Sequence, residues 1–244
     1  MASPAFVWCD LSAYDTGQAA RFYSDLLGWS LSGEGDATTA TGDPVASIYE
    51  MPETFRDMGM PSFWMSYVAV PSVEDCVAKA RTTGGKVEVE ESYGPDGRIA
   101  LIRDPLGAGF TIYEGPMRAG ASDHAEAGTR AGHALLVSNA DAVAPFYTEM
   151  FGWLTVRQGD HLVAFVDDSG RQHAELHTVP SHDRGGFEYW AIAFTVNDLD
   201  AAADHVRANR GSVFGQGQLQ SGRSLSVADG DGAAFHLIAR GQKR

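Results

Sequence analysis

The stretch Phe22-Tyr-Ser-Asp-Leu-Leu-Gly-Trp29 decides the fold, because the chain repeats it 124 residues later as Phe146-Tyr-Thr-Glu-Met-Phe-Gly-Trp153. Other landmarks return at nearly the same spacing; the pairs are Trp64 and Trp190, Val70 and Val196, Asp104 and Asp229, and Phe110 and Phe235. Recurrence at a fixed spacing indicates duplicated structural units. The sequence therefore predicts two modules, residues 1–115 and 131–244, and residues 116–130, rich in Gly, Ala and polar residues, are predicted to link them.

Each module is predicted to contain the unit βαβββ twice. In the first unit a strand over 6–12 precedes a helix that Asp15 or Thr16 caps and Gly28 ends, and strands follow over 29–34, 37–41 and 45–50. In the second unit Ser72 opens the helix, and the strands cover 63–70, 86–92, 98–103 and 109–114. One helix for every three or four strands predicts an α+β fold rather than an alternating α/β fold.

Composition narrows the class of protein. The 244 residues are 44% apolar and 20% charged, which is typical of a soluble globular chain. A formal charge of −14 disfavours nucleic acid and anionic membrane surfaces as partners. No apolar run is long enough to span a membrane, and the N-terminus lacks the basic segment of a signal peptide. With only two cysteines, Cys9 and Cys76, we expect a cytoplasmic protein.

The four βαβββ units, the Phe-Tyr-x-x-x-x-Gly-Trp motif and the closing Asp104-Pro-Leu-Gly-Ala-Gly-Phe-Thr-Ile-Tyr113 resemble the vicinal oxygen chelate family. That family includes glyoxalase I, extradiol dioxygenases, fosfomycin-resistance enzymes and bleomycin-binding proteins. The resemblance covers nearly the whole chain, and the two-module layout is similar to actinobacterial proteins labelled glyoxalase-like or hydroxylase. It implies two pseudo-symmetric modules with curled mixed sheets around clefts. Because this fold hosts lyases, oxygenases and binding proteins, the fold alone does not define the activity.

The resemblance also implies positions for metal ligands on the first and last strand of each unit. In the C-terminal module these positions hold His133, Glu175, Ala191 and His236. In the N-terminal module they hold Cys9, Ser47, Met65 and Thr111, a set poorly suited to metal. All eight histidines lie after residue 123. We therefore expect a metal only in the C-terminal module.

Two histidines and a carboxylate suit a divalent Fe, Mn, Ni, Co or Zn ion, and Glu175 is also the candidate catalytic residue. In His173-Ala-Glu-Leu-His177, alternation places both histidines on the face of Glu175. A slip of two residues in the alignment would therefore change the ligand. A cleft built from halves of different modules would separate His133 and Glu175 from His236. The alternative for each histidine is a hydrogen-bonded pocket or surface residue.

A second set of residues is predicted to contact substrate. The set contains Phe165, His173, His177 and Trp190 in the C-terminal module, and Tyr49, Trp64, Tyr67 and Glu114 in the N-terminal module. If Cys9 faces the cleft, alternation turns Trp8 and Asp10 toward the helix layer. Most strand aromatics could instead belong to the core.

Two functions remain open from the sequence. The first is a metal-dependent lyase, isomerase or dioxygenase that acts on a small aromatic or polyoxygenated metabolite. The second is a metal-free protein that binds an antibiotic or another natural product. The chain has no glycine-rich nucleotide-binding motif, so no nucleotide cofactor is expected. Pairing of the two modules would allow a monomer, and a homodimer is left open.

Overall fold

The computed structural model describes residues 4–116, 126–183, 186–219 and 222–240. Residues 117–125 of the predicted linker lie outside these ranges. At the end of the predicted linker, Thr129 and Arg130 are buried, and Arg130 is the first residue of a strand. None of the helices in the described part of the chain is long and apolar enough to cross a membrane.

The N-terminal module follows the predicted order of elements. They are β1 (Ala5–Ala13), α1 (Thr16–Leu27), β2 (Ser30–Leu31), β3 (Asp36–Thr38), β4 (Pro44–Glu50), α2 (Glu53–Asp57), β5 (Phe63–Ala69), α3 (Val73–Thr82), β6 (Lys86–Ser92), β7 (Arg98–Arg103) and β8 (Gly109–Glu114). The short helix α2 was not predicted. Strands β2 and β3 are shorter than predicted, because Gly35 closes a turn by donating its N–H to the Ser32 carbonyl at 3.1 Å.

Within its described residues, the C-terminal module repeats this arrangement without a counterpart of α2. Its elements are β9 (Arg130–Val137), α4 (Ala140–Phe151), β10 (Leu154–Gln158), β11 (His161–Val166), β12 (Gln172–Thr178), β13 (Tyr189–Val196), α5 (Leu199–Ala208), β14 (Ser212–Leu219), β15 (Gly222–Ala228) and β16 (Ala234–Ala239).

Each module contributes one eight-stranded mixed sheet. The strand orders are β2-β3-β4-β1-β5-β8-β7-β6 and β10-β11-β12-β9-β13-β16-β15-β14, so the two sheets have the same topology. Strand β1 is parallel to β4, and β12 is parallel to β9, whereas the hairpin neighbours are antiparallel. The predicted α+β fold of paired βαβββ units is confirmed. The predicted curling of the sheets is not confirmed.

The repeated helix begins and ends as its sequence indicates. At its start, the Asp15 side chain accepts a hydrogen bond from the Gln18 N–H at 2.8 Å. At its end, Gly28 has a φ of 72°, a left-handed conformation that glycine adopts without steric cost. Between these residues, Phe22 and Tyr23 are buried with the rest of the apolar face. In α4, Asn139 and Gly152 play the same two roles.

The compact units of the structure do not coincide with the sequence modules. The first unit combines Met1–Val7, Ser66–Arg118 and His133–Trp190, and the second combines Trp8–Met65, Ala119–Gly132 and Ala191–Arg244. Each unit has its own apolar core, containing Phe110, Tyr147 and Trp153 in the first and Tyr23, Trp29 and Phe235 in the second. Residues from both sequence repeats therefore contribute to each core.

A series of buried side-chain hydrogen bonds crosses the core of the first unit. The Tyr147 hydroxyl donates to Asp104 Oδ2 at 2.9 Å and accepts a hydrogen bond from Trp190 Nε1 at 2.9 Å. The other carboxylate oxygen of Asp104 accepts from the backbone N–H groups of residues 106–108. Burial raises the pKa of Asp104, although these hydrogen bonds favour its charged form.

The second unit contains the same set of hydrogen bonds, with the roles of the two repeats exchanged. The Tyr23 hydroxyl donates to Asp229 Oδ2 at 3.0 Å and accepts from Trp64 Nε1 at 3.1 Å. Burial raises the pKa of Tyr23 well above its usual range. The tyrosine of the repeated motif thus joins the first helix of one module to the closing turn of the other. The motif is explained by structure rather than by catalysis.

Replacing Tyr147 or Tyr23 by Phe should lower the free energy of unfolding by about 1–3 kcal/mol each, because a buried carboxylate loses its donor and a buried indole N–H loses its acceptor. Urea denaturation followed by circular dichroism measures the effect. Tyr93→Phe is the matched control, since Tyr93 is 52% exposed, and should change stability by less than about 0.5 kcal/mol. Equal small effects in all three variants would contradict the proposed structural role.

Candidate functional site

The two faces of the C-terminal sheet are distinguished by the register of β9 and β12. Leu135 pairs with Leu176, and both are buried in the core of the first unit. Ala134 pairs with Glu175, so alternation places these two residues on the opposite side. In both sheets, we call the side that points away from the apolar core the far face. Any cleft-facing ligand set in this part of the sheet must project from the far face.

His133 lies on the core side of β9. It is two residues before Leu135, and its ring stacks on Phe6 with centroids 3.7 Å apart and an interplanar angle of 10°. Phe6 packs against the core of the first unit and contacts the Trp190 ring edge-on. His133 and Glu175 therefore project from opposite faces, and the two side chains cannot bind one ion together. The expected ligand arrangement, with His133 and Glu175 on one face, is therefore corrected: the residue of β9 that shares the face of Glu175 is Ala134.

Glu175 and His177 come together on the far face. His177 Nε2 lies 3.2 Å from Glu175 Oε2, and the two side chains are 38% and 15% exposed, respectively. His173 is held elsewhere, because the pairing of β11 with β12 is irregular at this point. Its ring stacks on Trp153 with centroids 5.0 Å apart, and burial lowers the pKa of His173. Only His177 of the two alternative histidines accompanies Glu175.

His236 occupies the far face of β16 in the second unit. Its neighbours Phe235 and Leu237 are buried in the core, so His236 points away from that core. Its Nδ1 lies 3.0 Å from the Ser226 hydroxyl. Across all the described residues, no group of three His, Cys, Asp or Glu side chains could hold a metal ion. The predicted ligand set of His133, Glu175 and His236 is not assembled by these side chains, and we derive no metal-dependent step.

Cys9 takes the place of His133 in the N-terminal module, and it also faces a core. Its Sγ lies 3.6 Å from the Val45 carbonyl oxygen, and burial raises the pKa of the thiol to about 12. The neighbouring Leu11 pairs with Ile48, and both are buried in the core of the second unit. The expectation that Cys9 lines the cleft is wrong. Trp8 and Asp10 occupy the far face instead.

Far-face side chains of β1 and β4 form a polar and aromatic cluster in the second unit. Asp10 pairs with Ser47, and Ser12 pairs with Tyr49. The Trp8 indole donates to Asp10 Oδ1 at 2.7 Å, which fixes a carboxylate that is 9% exposed. The phenol of Tyr49 is 38% exposed. We call Trp8, Asp10, Ser47 and Tyr49 the β1–β4 patch.

The charge of Asp10 affects the pKa of Tyr49. Partial burial, followed by the negative charge of Asp10, raises the pKa of Tyr49 to about 12. Ser47 donates its hydroxyl hydrogen bond to Asp36 Oδ1 at 3.0 Å. Sequence reasoning included Tyr49 but missed Asp10. The alternation of Trp8 and Asp10 along β1 is the available signal, but alternation alone leaves open which face of the strand meets the core.

Several other predicted substrate contacts belong to the scaffold. Trp64, Trp190 and Phe165 are at most 5% exposed and lie in the cores of their units. Glu114 accepts a hydrogen bond from the Val73 N–H at 2.8 Å and so stabilises the start of α3. Tyr67 pairs with Thr111 on the far face of the N-terminal sheet. Of the predicted aromatic contacts, Tyr49 and Tyr67 thus remain on far faces.

Residues 5–112 and 123–236 match the Glyoxalase/Bleomycin resistance protein/Dioxygenase superfamily. The chain belongs to this superfamily. The putative glyoxylase CFP32 of Mycobacterium bovis is 29% identical over 255 residues, which cover 95% of this chain and 93% of that protein. The anthracycline biosynthesis protein DnrV of Streptomyces peucetius is 25% identical over 255 residues, covering 95% of this chain and 91% of DnrV.

Among solved structures, the Mn(II)-bound glyoxalase from Novosphingobium aromaticivorans superposes with a TM-score of 0.63 at 16% sequence identity. The superposition covers 97% of this chain and 84% of that chain. At this level of identity the likeness establishes the fold. The sequence-based assignment to the vicinal oxygen chelate family is confirmed.

The coupling of Tyr49 to Asp10 predicts a measurable titration. The phenol should ionise with a pKa of about 12, and Asp10→Asn should lower this pKa because it removes a nearby negative charge. The difference in phenolate absorbance between the parent protein and its Tyr49→Phe variant isolates this group. The folded state holds the proton more tightly, so the stability contributed by Tyr49 should fall as pH rises from about 10 toward 12. An unchanged titration in Asp10→Asn would contradict the coupling.

Proposed function

We propose that the protein binds a small, flat metabolite of the natural-product class at the β1–β4 patch, without a metal ion. The observation that carries the proposal is the Asp10 carboxylate, which is 9% exposed and is fixed by the Trp8 indole beside the half-exposed Tyr49. A carboxylate held in one orientation is suited to accept a hydrogen bond from a ligand hydroxyl or amine.

Aromatic contact would supply the remaining affinity. The Tyr49 ring is partly exposed and can pack against a planar ligand, with ring stacking adding to apolar burial. Burying roughly 200 Å² of apolar surface contributes on the order of 5 kcal/mol before the cost of immobilising the ligand. Affinity above this level would depend on the hydrogen bonds to Asp10 and Tyr49.

The relatives support this ligand class. DnrV and DauV of Streptomyces are named as anthracycline biosynthesis proteins, and each aligns with 95% of this chain. Anthracyclines are planar aromatic compounds with hydroxyl and amino groups, which is the chemistry that the β1–β4 patch can recognise. The placement of His133 on the core side also favours metal-free binding over the predicted metal site.

Isothermal titration with an anthracycline and with its aglycone tests the proposal. Asp10→Asn should weaken binding about tenfold or more, because it removes a charge-assisted hydrogen bond, and Tyr49→Phe should weaken it less. Asp75→Asn and Tyr93→Phe are matched controls on exposed parts of the first unit and should bind like the parent protein. Failure to bind either probe up to its solubility limit, or equal binding by Asp10→Asn, would overturn the assignment.

A second candidate function is a reaction at Glu175 and His177. Their contact at 3.2 Å on the far face resembles the pairing in which a carboxylate orients an imidazole for proton transfer. The same two side chains offer an oxygen and a nitrogen donor to a divalent metal. His133 projects from the opposite face and cannot supply a third ligand atom. Glu175 and His177 therefore provide only two of the three ligands of the predicted metal site.

Metal analysis separates the two functions. Protein purified without an affinity tag and incubated with Fe(II), Mn(II), Ni(II) and Zn(II) should retain less than about a tenth of an equivalent after desalting, because a two-donor site binds weakly. Anthracycline binding should persist in the presence of a chelator. Retention of about one equivalent that Glu175→Gln abolishes would instead favour the metal-dependent reaction.

A further inference from the structure

A pocket of about 310 Å³ lies in the second unit, away from the far faces of the sheets. It is bounded by the first turns of α1, the end of α5 and the turn that begins at Asp229. Its lining includes Gln18, Arg21, Arg210, Asp229, Gly230 and Asp231. The volume is at the lower end of the range for small-molecule sites.

Arg210 has an unusual backbone in this pocket. Its φ of 64° makes it the one non-glycine residue with positive φ in the described ranges. The position directly follows the end of α5, where helices commonly use glycine. In the other repeat, Gly84 holds the corresponding position after α3 with a φ of 89°. The arginine therefore occupies a conformation that is unfavourable for a side chain and brings a cation to the pocket.

The first unit provides an internal comparison, because the same scaffold there carries other residues. Asp104 and Asp229 each accept hydrogen bonds from the backbone N–H groups two and four residues further along the chain. The two turns can therefore be aligned residue by residue. The pocket residues Gln18, Arg21, Arg210, Gly230 and Asp231 correspond to Ala142, Pro145, Gly84, Pro105 and Leu106. Leu106 packs against the apolar core of the first unit. At four of these five positions the second unit therefore has a polar residue where the first unit has a small or apolar one.

The pocket is lined by two arginines and two aspartates, and neither arginine forms an ion pair with a described carboxylate. Arg210 donates to the Gln18 side-chain oxygen, and Arg21 forms no ion pair with any described residue. The Asp229 carboxylate already accepts hydrogen bonds from the Tyr23 hydroxyl and from backbone N–H groups. Asp231 accepts a hydrogen bond from Gln18 Nε2 at 3.5 Å and is partly exposed. Two guanidinium groups and one accessible carboxylate are left for a ligand.

We propose that this pocket binds a small organic carboxylate that also carries a hydrogen-bond donor. The ligand carboxylate would contact Arg21 and Arg210, because guanidinium groups form strong paired hydrogen bonds with carboxylates. The donor, a hydroxyl or ammonium group, would face Asp231. A hydroxy acid or amino acid of a few carbon atoms fits the volume and the charges. This inference is independent of the function proposed for the β1–β4 patch.

Calorimetry or ligand-observed NMR with L-lactate and glycine tests the proposal, and propionate serves as the carboxylate without a donor. We expect dissociation constants on the order of 1 mM for lactate or glycine, and about fivefold weaker binding of propionate. Arg21→Ala and Arg210→Gly should each weaken binding about tenfold or more. Asp231→Asn should remove the preference for lactate over propionate.

Arg210→Gly provides a control for folding, since glycine accepts positive φ. Its melting temperature should equal or exceed that of the parent protein while binding is lost. Arg81→Ala, which removes an exposed cation from α3, should leave binding unchanged. No binding of lactate or glycine at about 20 mM, well above the expected constants, or equal binding by both pocket variants and the parent, would overturn the proposal.

Discussion

The two cores of the protein depend on a buried chain of aspartate, tyrosine and tryptophan. In each unit the tyrosine hydroxyl is both donor and acceptor, so one atom satisfies a buried carboxylate and a buried indole N–H. The aspartate in turn organises the closing turn through backbone N–H groups. Because Tyr147 comes from one repeat and Asp104 from the other, these hydrogen bonds link the two sequence modules within one core.

The placement of functional side chains follows from the requirement that one face of each sheet meets a core. Leu135 and Leu176 satisfy this requirement in the C-terminal sheet, and Leu11 and Ile48 satisfy it in the N-terminal sheet. Side chains alternate along a strand, so fixing one residue fixes the direction of its neighbours. The aromatic contact with Phe6 then gives His133 a packing role.

Duplication gave the chain two scaffolds of the same topology, and sequence divergence gave them different chemistry. Asp10 and Ser47 occupy the far face of the N-terminal sheet, whereas Ala134 and Glu175 occupy the corresponding positions of the C-terminal sheet. The closing turns diverge in the same manner while their aspartates are retained. Superfamily membership thus defines the architecture, and the individual far-face residues give each sheet its own chemistry.

The sequence by itself determined the duplication, the α+β class, the helix end at Gly28 and most strand positions of the N-terminal module, and its motifs indicated the superfamily. The helix end and the strands depend on local signals such as caps, turns and periodicity, which a polypeptide carries in its residue order. The superfamily assignment depends instead on the resemblance of the repeated motifs to those of a known family. The tertiary structure alone decided that His133 and Cys9 face cores and that Asp10 does not. A shift of one residue reverses a strand's faces, and only packing against a distant segment fixes which face is buried.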